Sequence, residues 1–282
     1  MQTIHQKILA LGQSLTESET RLAQIMLENI PQLASYSATE LANLAGVSKA
    51  TAVRFFKRLG YASFNDLRIH ARQSQDTASP LHLMMLGSYV NNELNYAEQH
   101  ATNEMRNIAQ SFEQISIQQL KQATQLLKQA QSIYVIGFRS CSHLAQYMWY
   151  LLNQIRPNAI LIQNNNGAQL AEELAGLTEH DLVLMMDYRR RVTLIEPIAA
   201  QAFTVQAKIL RFTDLSSLDL SVCADLTLRT FTRSTGMFDS YTAANSLINA
   251  VCTQLAIEQR ELTQARLNKI EQLHQHYQDL DR

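Results

Sequence analysis

The sequence predicts two domains: an N-terminal all-α domain built on a helix-turn-helix, and a C-terminal α/β domain with a five-stranded parallel sheet flanked by helices. Two short amphipathic helices joined at a glycine occupy residues 37–59. After residue 132, short apolar runs alternate with helical patterns, which indicates a parallel sheet covered on both faces. The 282 residues, 46% of them hydrophobic, suffice for two packed cores.

The first 30 residues have a helical pattern. Thr16 and Glu19 have the spacing of a capping box, in which each side chain bonds to the backbone of the other residue at a helix start. Pro31 ends this helix or forces a turn. We expect the helix to pack under the helix-turn-helix and complete a three-helix core.

The helix-turn-helix has clear start and stop signals. Ser37 and Glu40 form a second capping box, and the first helix spans residues 38–45. It ends at Gly46, because glycine tolerates the left-handed backbone of a helix end. The second helix begins with Ser48 as its N-cap and runs to residue 59.

The second helix has two chemically different faces. One is apolar and repeats at helical spacing, with Ala52, Phe55, Phe56 and Leu59. The other carries Lys49, Thr51, Arg54, Lys57 and Arg58. Residues 49–72 hold six Lys/Arg against one acidic residue, although the whole chain has a net charge of only -1. A local basic face of this kind is typical of a helix that enters the major groove of DNA.

Further helices and a polar segment follow. Ser63 caps a helix that carries Arg68 on its outward face, and residues 73–80 are small, polar and end in proline. We predict a DNA-binding domain at residues 1–75, a linker with connecting helices at 76–130, and the α/β domain at 131–282. Within the connecting part, an apolar stripe is predicted and a third capping box begins the next helix. The stripe residues are Met105, Ile108, Phe112 and Ile115, and the capping pair is Ser116 with Gln119.

The five apolar runs are the predicted strands. They lie at residues 133–136, 159–162, 182–186, 208–212 and 226–228. The predicted helices between and after them lie at residues 142–153, 168–174, 193–206, 241–257 and 262–277.

Ligands bind open α/β sheets at the carboxyl ends of the strands. The loop after the first strand holds Gly137, Arg139, Ser140 and Ser142, whose amides and hydroxyls suit an anion. The loop after the third strand holds Asp187, Tyr188, Arg189, Arg190 and Thr193, where arginines can grip a phosphate or carboxylate. An ordinary strand-to-helix turn in the first loop, and a solvated or subunit salt-bridge cluster in the second, remain alternatives.

Several classes of function lack support in the sequence. There is no metal-ligand cluster, no P-loop and no nucleophile elbow, and we predict no catalytic residue, metal or cofactor. No apolar run approaches the length of a membrane span, and residues 1–13 lack the features of a signal peptide. The odd cysteine count favours reduced thiols in a cytoplasmic protein. Cys141, at a predicted helix start, is either a small packing residue or an oxidant sensor.

Together the two halves resemble an RpiR-type transcriptional regulator, with an N-terminal helix-turn-helix and a C-terminal sugar isomerase (SIS) domain. The resemblance rests on AGVSKATAVRF at residues 45–55, LGY at 59–61 and FNDL at 64–67. It implies that Ser48, Lys49, Thr51 and Arg54 reach bases or phosphates, and that Lys57 and Arg58 reach phosphates. We include Thr39 and Arg68 in the predicted DNA-binding set.

The ligand loops depart from the family pattern. The first reads GFRSCS where the family has G-x-G-x-S. In the second, Asp187, Arg189 and Arg190 replace the first Ser, the second Ser and the Gly of S-x-S-G-x-T. The resemblance therefore implies a small anionic effector, a sugar phosphate or a different anion.

The resemblance implies a regulator, commonly a repressor, that binds double-stranded DNA at a palindromic operator as a homodimer or homotetramer. Two alternatives stay open. One is an SIS-type phosphosugar isomerase or lyase with a DNA-binding head. The other is a dimeric DNA-binding protein whose SIS domain senses nothing.

Overall fold

The computed structural model describes residues 4–11, 14–28, 33, 36–75, 96–162, 169–215, 217 and 224–279. The chain divides into two compact units. The N-terminal unit comprises residues 1–103 together with 233–239, and the α/β unit comprises residues 104–232 and 240–282. Residues 76–95, the first part of the predicted linker segment at 76–130, and Cys223 lie outside the described residues.

Short helices packed around one apolar core make up the N-terminal unit. They are α1 (Ile4–Leu11), α2 (Glu17–Glu28), α3 (Ala38–Leu44), α4 (Lys49–Arg58) and α5 (Phe64–Gln75). Phe55 and Phe56 of α4 are buried against Leu22 and Met26 of α2, as the apolar face of the second helix predicts. The helix-turn-helix is therefore confirmed as α3 and α4.

The predicted caps are present. Glu40 accepts a hydrogen bond from the backbone of Ser37 at 2.7 Å, and the Ser37 hydroxyl accepts one from Glu40 at 3.1 Å. The Ser48 hydroxyl accepts from the amide of Thr51 at 3.1 Å. Gly46 has a φ of 62°, the left-handed conformation that the end of α3 requires. These local bonds fix the two ends of the turn.

A distant segment of the sequence belongs to the N-terminal unit. Arg233 is almost fully buried there, and its guanidinium carbon lies 4.0 Å from the centre of the Tyr36 ring. The same guanidinium lies 3.8 Å from a carboxylate oxygen of Glu40, the capping residue of α3. A cation stacked on an aromatic ring beside a carboxylate is a stabilising arrangement when it is shielded from water.

The α/β unit contains a five-stranded, all-parallel sheet. Its strands are β1 (Ile133–Gly137), β2 (Ala159–Ile162), β3 (Leu182–Asp187), β4 (Lys208–Asp214) and β5 (Leu226–Thr230). The strand order is β2-β1-β3-β4-β5. The surrounding helices are α6 (Tyr96–Gln114, which begins in the N-terminal unit), α7 (Ile117–Gln129), α8 (Ser142–Ile155), α9 (Leu170–Leu174), α10 (Ile195–Thr204), α11 (Thr242–Glu258) and α12 (Arg260–Tyr277).

Alternate residues of each inner strand point to opposite faces and enter two separate cores. Ile133 and Val135 of β1 join a core formed with α7, α8 and α11. Tyr134 and Ile136 join a second core formed with α9 and α10. The continuous apolar runs of the sequence therefore reflect burial on both faces, which confirms the predicted α/β class.

Some predicted details differ from the structure. Met105 is 64% exposed, and α6 instead buries Asn107 and Ser111. Burial of Ser111 has a physical reason, because its hydroxyl accepts a hydrogen bond from the amide of Phe231 at 2.9 Å. The helix predicted from residue 193 begins at Ile195.

Within the described residues, no helix combines the length and apolarity that crossing a bilayer would require.

Candidate functional sites: a helix surface and a crevice

Helix α4 has one exposed polar face because its apolar face is held in the core. Ala52, Phe55 and Phe56 are buried, whereas Lys49, Arg54 and Lys57 are exposed. Two further predicted residues lie on neighbouring helices. Thr39 is exposed on α3, and Arg68 is half-buried on α5.

Side-chain hydrogen bonds connect the start of α4 to its middle. The hydroxyls of Ser48 and Thr51 lie 2.9 Å apart, and Arg54 donates to the Thr51 hydroxyl at 3.4 Å. The turn that positions α4 thus also orients the first arginine of its exposed face. An oriented guanidinium with further donors free to point outward suits bidentate contact with a base edge.

Arg58 has different surroundings from the other predicted DNA contacts. Its guanidinium donates to a carboxylate oxygen of Glu19 at 2.6 Å, and to the carbonyl and hydroxyl of Ser14 at 2.8 Å each. Glu19 also caps α2, and its pKa is lowered chiefly by the amide of Thr16 and further by Arg58. Arg58 therefore holds α4 against the start of α2, and this engages both of its terminal nitrogens.

The second candidate site is a crevice at the carboxyl edge of the sheet. β1 and β3 are neighbours, with Gly137 paired to Met186 at their ends. From β1 the chain crosses to β2 on one side, and from β3 it crosses to β4 on the other. The loops after β1 and β3 therefore meet at the topological switch point, where open α/β sheets bind ligands.

The first loop, residues 137–142, folds tightly back over the end of β1. A Cβ atom at Gly137 would lie 2.4 Å from the carbonyl oxygen of Cys141, so only glycine fits there. Arg139 is exposed with a φ of 53°, a conformation that side-chain-bearing residues rarely adopt. The Ser142 hydroxyl donates to the carbonyl of Arg139 at 2.7 Å and supports this turn.

Tyr241 ties the two loops together, although no sequence pattern indicated a role for it. Its hydroxyl donates to the carbonyl of Arg189 at 2.8 Å and lies 3.1 Å from the hydroxyl of Ser140. Its ring also contacts the rings of His143 and Tyr188, with centres 5.6 and 5.5 Å away. Tyr241 precedes α11 and is about 100 residues from Ser140, so only the fold brings them together.

Asp187 faces inward rather than into the crevice. It is 2% exposed, and its carboxylate accepts hydrogen bonds from the buried guanidinium of Arg211. Arg191 lies 3.6 Å from the same carboxylate and donates to Asp214 at 2.7 Å. The predicted effector contact at Asp187 is thus corrected: the carboxylate is compensated by arginines beneath the loop and does not confront a bound anion.

Tyr188 and Cys141 are also inside the fold. The hydroxyl of Tyr188 lies 3.1 Å from that of Thr230, and burial raises the pKa of this tyrosine. Tyr188 therefore packs beneath the site rather than contacting an effector. Burial raises the pKa of Cys141 to about 12, so the side chain is a thiol at neutral pH and does not have the low pKa of an oxidant sensor.

The positively charged and hydroxyl side chains at the crevice suit an anion. Arg139, Ser140, Arg190 and Thr193 are exposed, and Arg189 is partly exposed. Neither α8 nor α10 has a side-chain cap, as is also true of α9, α11 and α12. Leading into α8, the amides of Cys141 and Ser142 bond to the carbonyls of Phe138 and Arg139 in a 3-10 turn. The starts of α8 and α10 carry partial positive charge, which favours a phosphate or carboxylate nearby.

Among the residues that the structure describes, no cluster of three His, Cys, Asp or Glu side chains could hold a metal ion.

The fold and these two surfaces define a two-domain protein, a helix-turn-helix joined to a SIS-type α/β domain. The helix-turn-helix domain of the rpiR family matches residues 2–78, and the SIS domain matches residues 126–254. The chain belongs to the RpiR family of transcriptional regulators.

Transcriptional regulators from bacteria are similar over most of this chain. An HTH-type transcriptional regulator of Thermotoga maritima is 24% identical over 232 residues, which is 82% of each chain. The HTH-type transcriptional regulator YbbH of Bacillus subtilis is 23% identical over 268 residues, or 93% of each chain.

Solved structures show the same fold. The sugar isomerase domain of an RpiR transcription factor from Sphaerobacter thermophilus superposes with a TM-score of 0.60 and 21% identity, covering 63% of this chain and 99% of that one. The NanR protein of Vibrio vulnificus, complexed with ManNAc-6P, superposes with a TM-score of 0.59 and 17% identity, covering 96% and 98%.

Proposed function

We propose that this protein is a DNA-binding transcriptional repressor whose affinity for its operator responds to a small anionic metabolite bound in the crevice between β1 and β3. The observation that carries the proposal is the crevice itself. Exposed arginines and two uncapped helix starts meet at the switch point of an α/β domain in a helix-turn-helix protein.

DNA binding is assigned to the exposed face of α4. Lys49, Thr51 and Arg54 face outward at the start of the recognition helix, where residues of this motif contact base edges. Lys57 supplies a phosphate contact further along the same face. Thr39 and Ser48 flank this surface, while Arg58 is left out because its guanidinium is bound to Glu19 and Ser14.

The effector is assigned as an anion, with a sugar phosphate as the first class to test. Arg139, Arg189 and Arg190 surround the loops with positive charge, and Ser140 and Thr193 add hydroxyl groups. The structure of the NanR relative in complex with ManNAc-6P, a sugar phosphate, gives independent support for this class. Since the Asp187 carboxylate is paired with Arg211 and Arg191 below the loop, it does not oppose a phosphate.

Regulation follows if the assembly exists in two arrangements. A homodimer or homotetramer presents two recognition helices to half-sites about 34–36 Å apart on a palindromic operator. An effector that binds one arrangement better than the other shifts the population and changes DNA affinity by the same coupling energy. Such a protein acts in the cytoplasm, where operator and phosphorylated metabolites coexist.

The test measures operator binding with and without a panel of sugar phosphates, using the wild-type chain and the double variant R189A/R190A. We expect at least one phosphate to change wild-type operator affinity. The double variant should keep operator binding but lose the response, because Arg189 and Arg190 lie outside the N-terminal unit.

The matched control is Arg260→Ala, which removes an exposed arginine from α12 and should leave the response intact. If the response survives in R189A/R190A, Arg189 and Arg190 are surface charges that do not bind the effector. The absence of a thermal shift with every metabolite would favour a domain that senses nothing, and turnover of a sugar phosphate would favour an enzyme.

A further inference from the structure

A second basic cavity lies in the α/β unit, away from the crevice. It has a volume of about 320 Å³ and is lined by residues at the ends of α7 and α8 and at the start of α12. Since α7 ends before β1 begins and α8 ends before β2 begins, the cavity lies at the amino edge of the sheet. The crevice lies at the opposite edge.

Four cationic side chains line this cavity, and none of the described residues that line it is acidic. They are Lys128, Arg156, Arg266 and Lys269. A helix end carries about half a negative charge, so the ends of α7 and α8 together offset roughly one of these cations. The cavity therefore keeps an excess of positive charge.

The two arginines are fixed in place by the backbone. Arg156 donates to the carbonyl oxygens of Leu127, Ala130 and Gln131 at the end of α7. Arg266 donates through Nε to the carbonyl of Asn153 in the last turn of α8. This leaves the terminal nitrogens of Arg266 with no partner among the described residues, and their orientation is set by the bond at Nε.

The two lysines complete the charge around the opening. Lys128 and Lys269 are exposed and make no hydrogen bond or ion pair with any described residue. Ile155, Pro157 and Leu262 add apolar surface to the lining, with Ile155 buried and Leu262 66% exposed. Fixed guanidinium donors, exposed ammonium groups and adjoining apolar surface are the features of a site for a small organic anion.

We infer that this cavity, at the amino edge of the sheet, binds a small polyanion with at least two negative charges, of the diphosphate or bisphosphate class. Three side chains, Lys128, Arg266 and Lys269, have free donors, which is more than a monoanion needs. The inference does not rest on the effector crevice, because the two sites share no residue.

The test uses the full-length chain and inorganic pyrophosphate as the probe, titrated by calorimetry at low and constant ionic strength. Each unit charge within contact distance contributes roughly 1 kcal/mol in water, or about fivefold in affinity. Lys128→Gln is therefore expected to weaken binding about fivefold, and K128Q/K269Q by tenfold or more. Both lysines are exposed, so the fold is unaffected.

Lys121→Gln is the matched control, since it removes an exposed lysine from the same helix outside the cavity. Lys121→Gln should bind pyrophosphate as the wild type does. Adding K128Q/K269Q to the R189A/R190A chain should weaken pyrophosphate binding as much as it does in the wild type. Equal affinity in K128Q/K269Q and wild type overturns the inference, as does absence of binding to the wild type. A change of oligomeric mass in K128Q/K269Q without loss of pyrophosphate affinity also overturns it, because the cavity is then a contact between copies.

Discussion

Cations of similar chemistry on α4 have different surroundings. Arg54 is exposed and hydrogen-bonded to Thr51, Lys57 is exposed and bonds to no other side chain among the described residues, and Arg58 is bound to Glu19 and Ser14. A guanidinium can bind a base edge bidentately, whereas an ammonium group acts as a point charge. We therefore expect base reading by Arg54, phosphate attraction by Lys57 and structural support by Arg58.

Replacing Arg54 by Ala should weaken operator binding by about 1–3 kcal/mol and weaken binding to random DNA much less, because the proposed base contact is lost. Lys57→Ala is the comparison, with an equal loss on both DNAs and a salt slope smaller by about one. Binding isotherms at several salt concentrations measure both effects. An equal loss for Arg54→Ala on operator and random DNA would reduce Arg54 to a phosphate contact.

His70 should make the stability of the N-terminal unit depend on pH. Burial and the nearby charge of Lys7 lower the pKa of His70 below its ordinary value near 6.5, and Nδ1 lies within hydrogen-bond distance of the Tyr61 hydroxyl. Below pH 6.5 the unfolded chain binds more protons than the folded one. The contribution of His70 to the free energy of unfolding is therefore fully present above pH 6.5, and it is lost as the pH falls through the lowered pKa of the folded chain.

The measurement is urea unfolding at pH 7.5 and at lower pH for the wild type and His70→Gln. We expect a smaller loss of unfolding free energy on acidification in His70→Gln, since the remaining histidines contribute equally to both chains. The same pH dependence in both proteins would remove His70 as the cause.

At the scale of the element, the loop after β1 depends on a close approach of two backbone segments. Gly137→Ala places a Cβ atom 2.4 Å from the carbonyl of Cys141 and 2.9 Å from the Cβ of Ala145, so the loop must shift. Overpacking of this kind costs about 1–3 kcal/mol. The shift also moves Ser140 relative to Tyr241, so thermal stability and the effector response should both fall.

Gly176→Ala is the control for this substitution. Its added Cβ would meet only the Tyr134 hydroxyl at 3.4 Å, an approach that a small movement of the side chain relieves. Thermal melts and the operator assay should leave Gly176→Ala close to wild type. A Gly137→Ala protein with full stability and full response would show that the loop geometry is unimportant.

The elements were predictable because their signals are local. The capping pairs of α2, α3 and α7, Gly46 and the five apolar runs all lie within a few residues of the structure that they specify. The partners of individual side chains were not predictable. Arg58 meets Glu19 from 39 positions away, Asp187 meets Arg211 from the next strand, and Tyr241 reaches Ser140 across 101 positions. Pairs of this kind leave no periodic trace in the sequence.

At the scale of the whole molecule, the N-terminal unit depends on a segment far along the chain. Replacing the buried Arg233 by Ala removes the cation over Tyr36 and the partner of Glu40, which should destabilise the unit by about 1–3 kcal/mol. Hydrogen exchange at residues 36–44 measures the effect directly. Arg260→Ala, which removes an exposed arginine, should leave these amides unchanged.

The assignment of residues 233–239 to the N-terminal unit also bears on how such a protein can be recombined. A chimera that joins residues 1–103 to another effector domain would transplant a DNA-reading head without the segment that covers Tyr36. Its designer would have to graft residues 233–239 into the new host as well, or supply another cation for that ring. The N-terminal unit is therefore not a continuous stretch of the chain, and truncation at a single point does not separate it from the α/β unit.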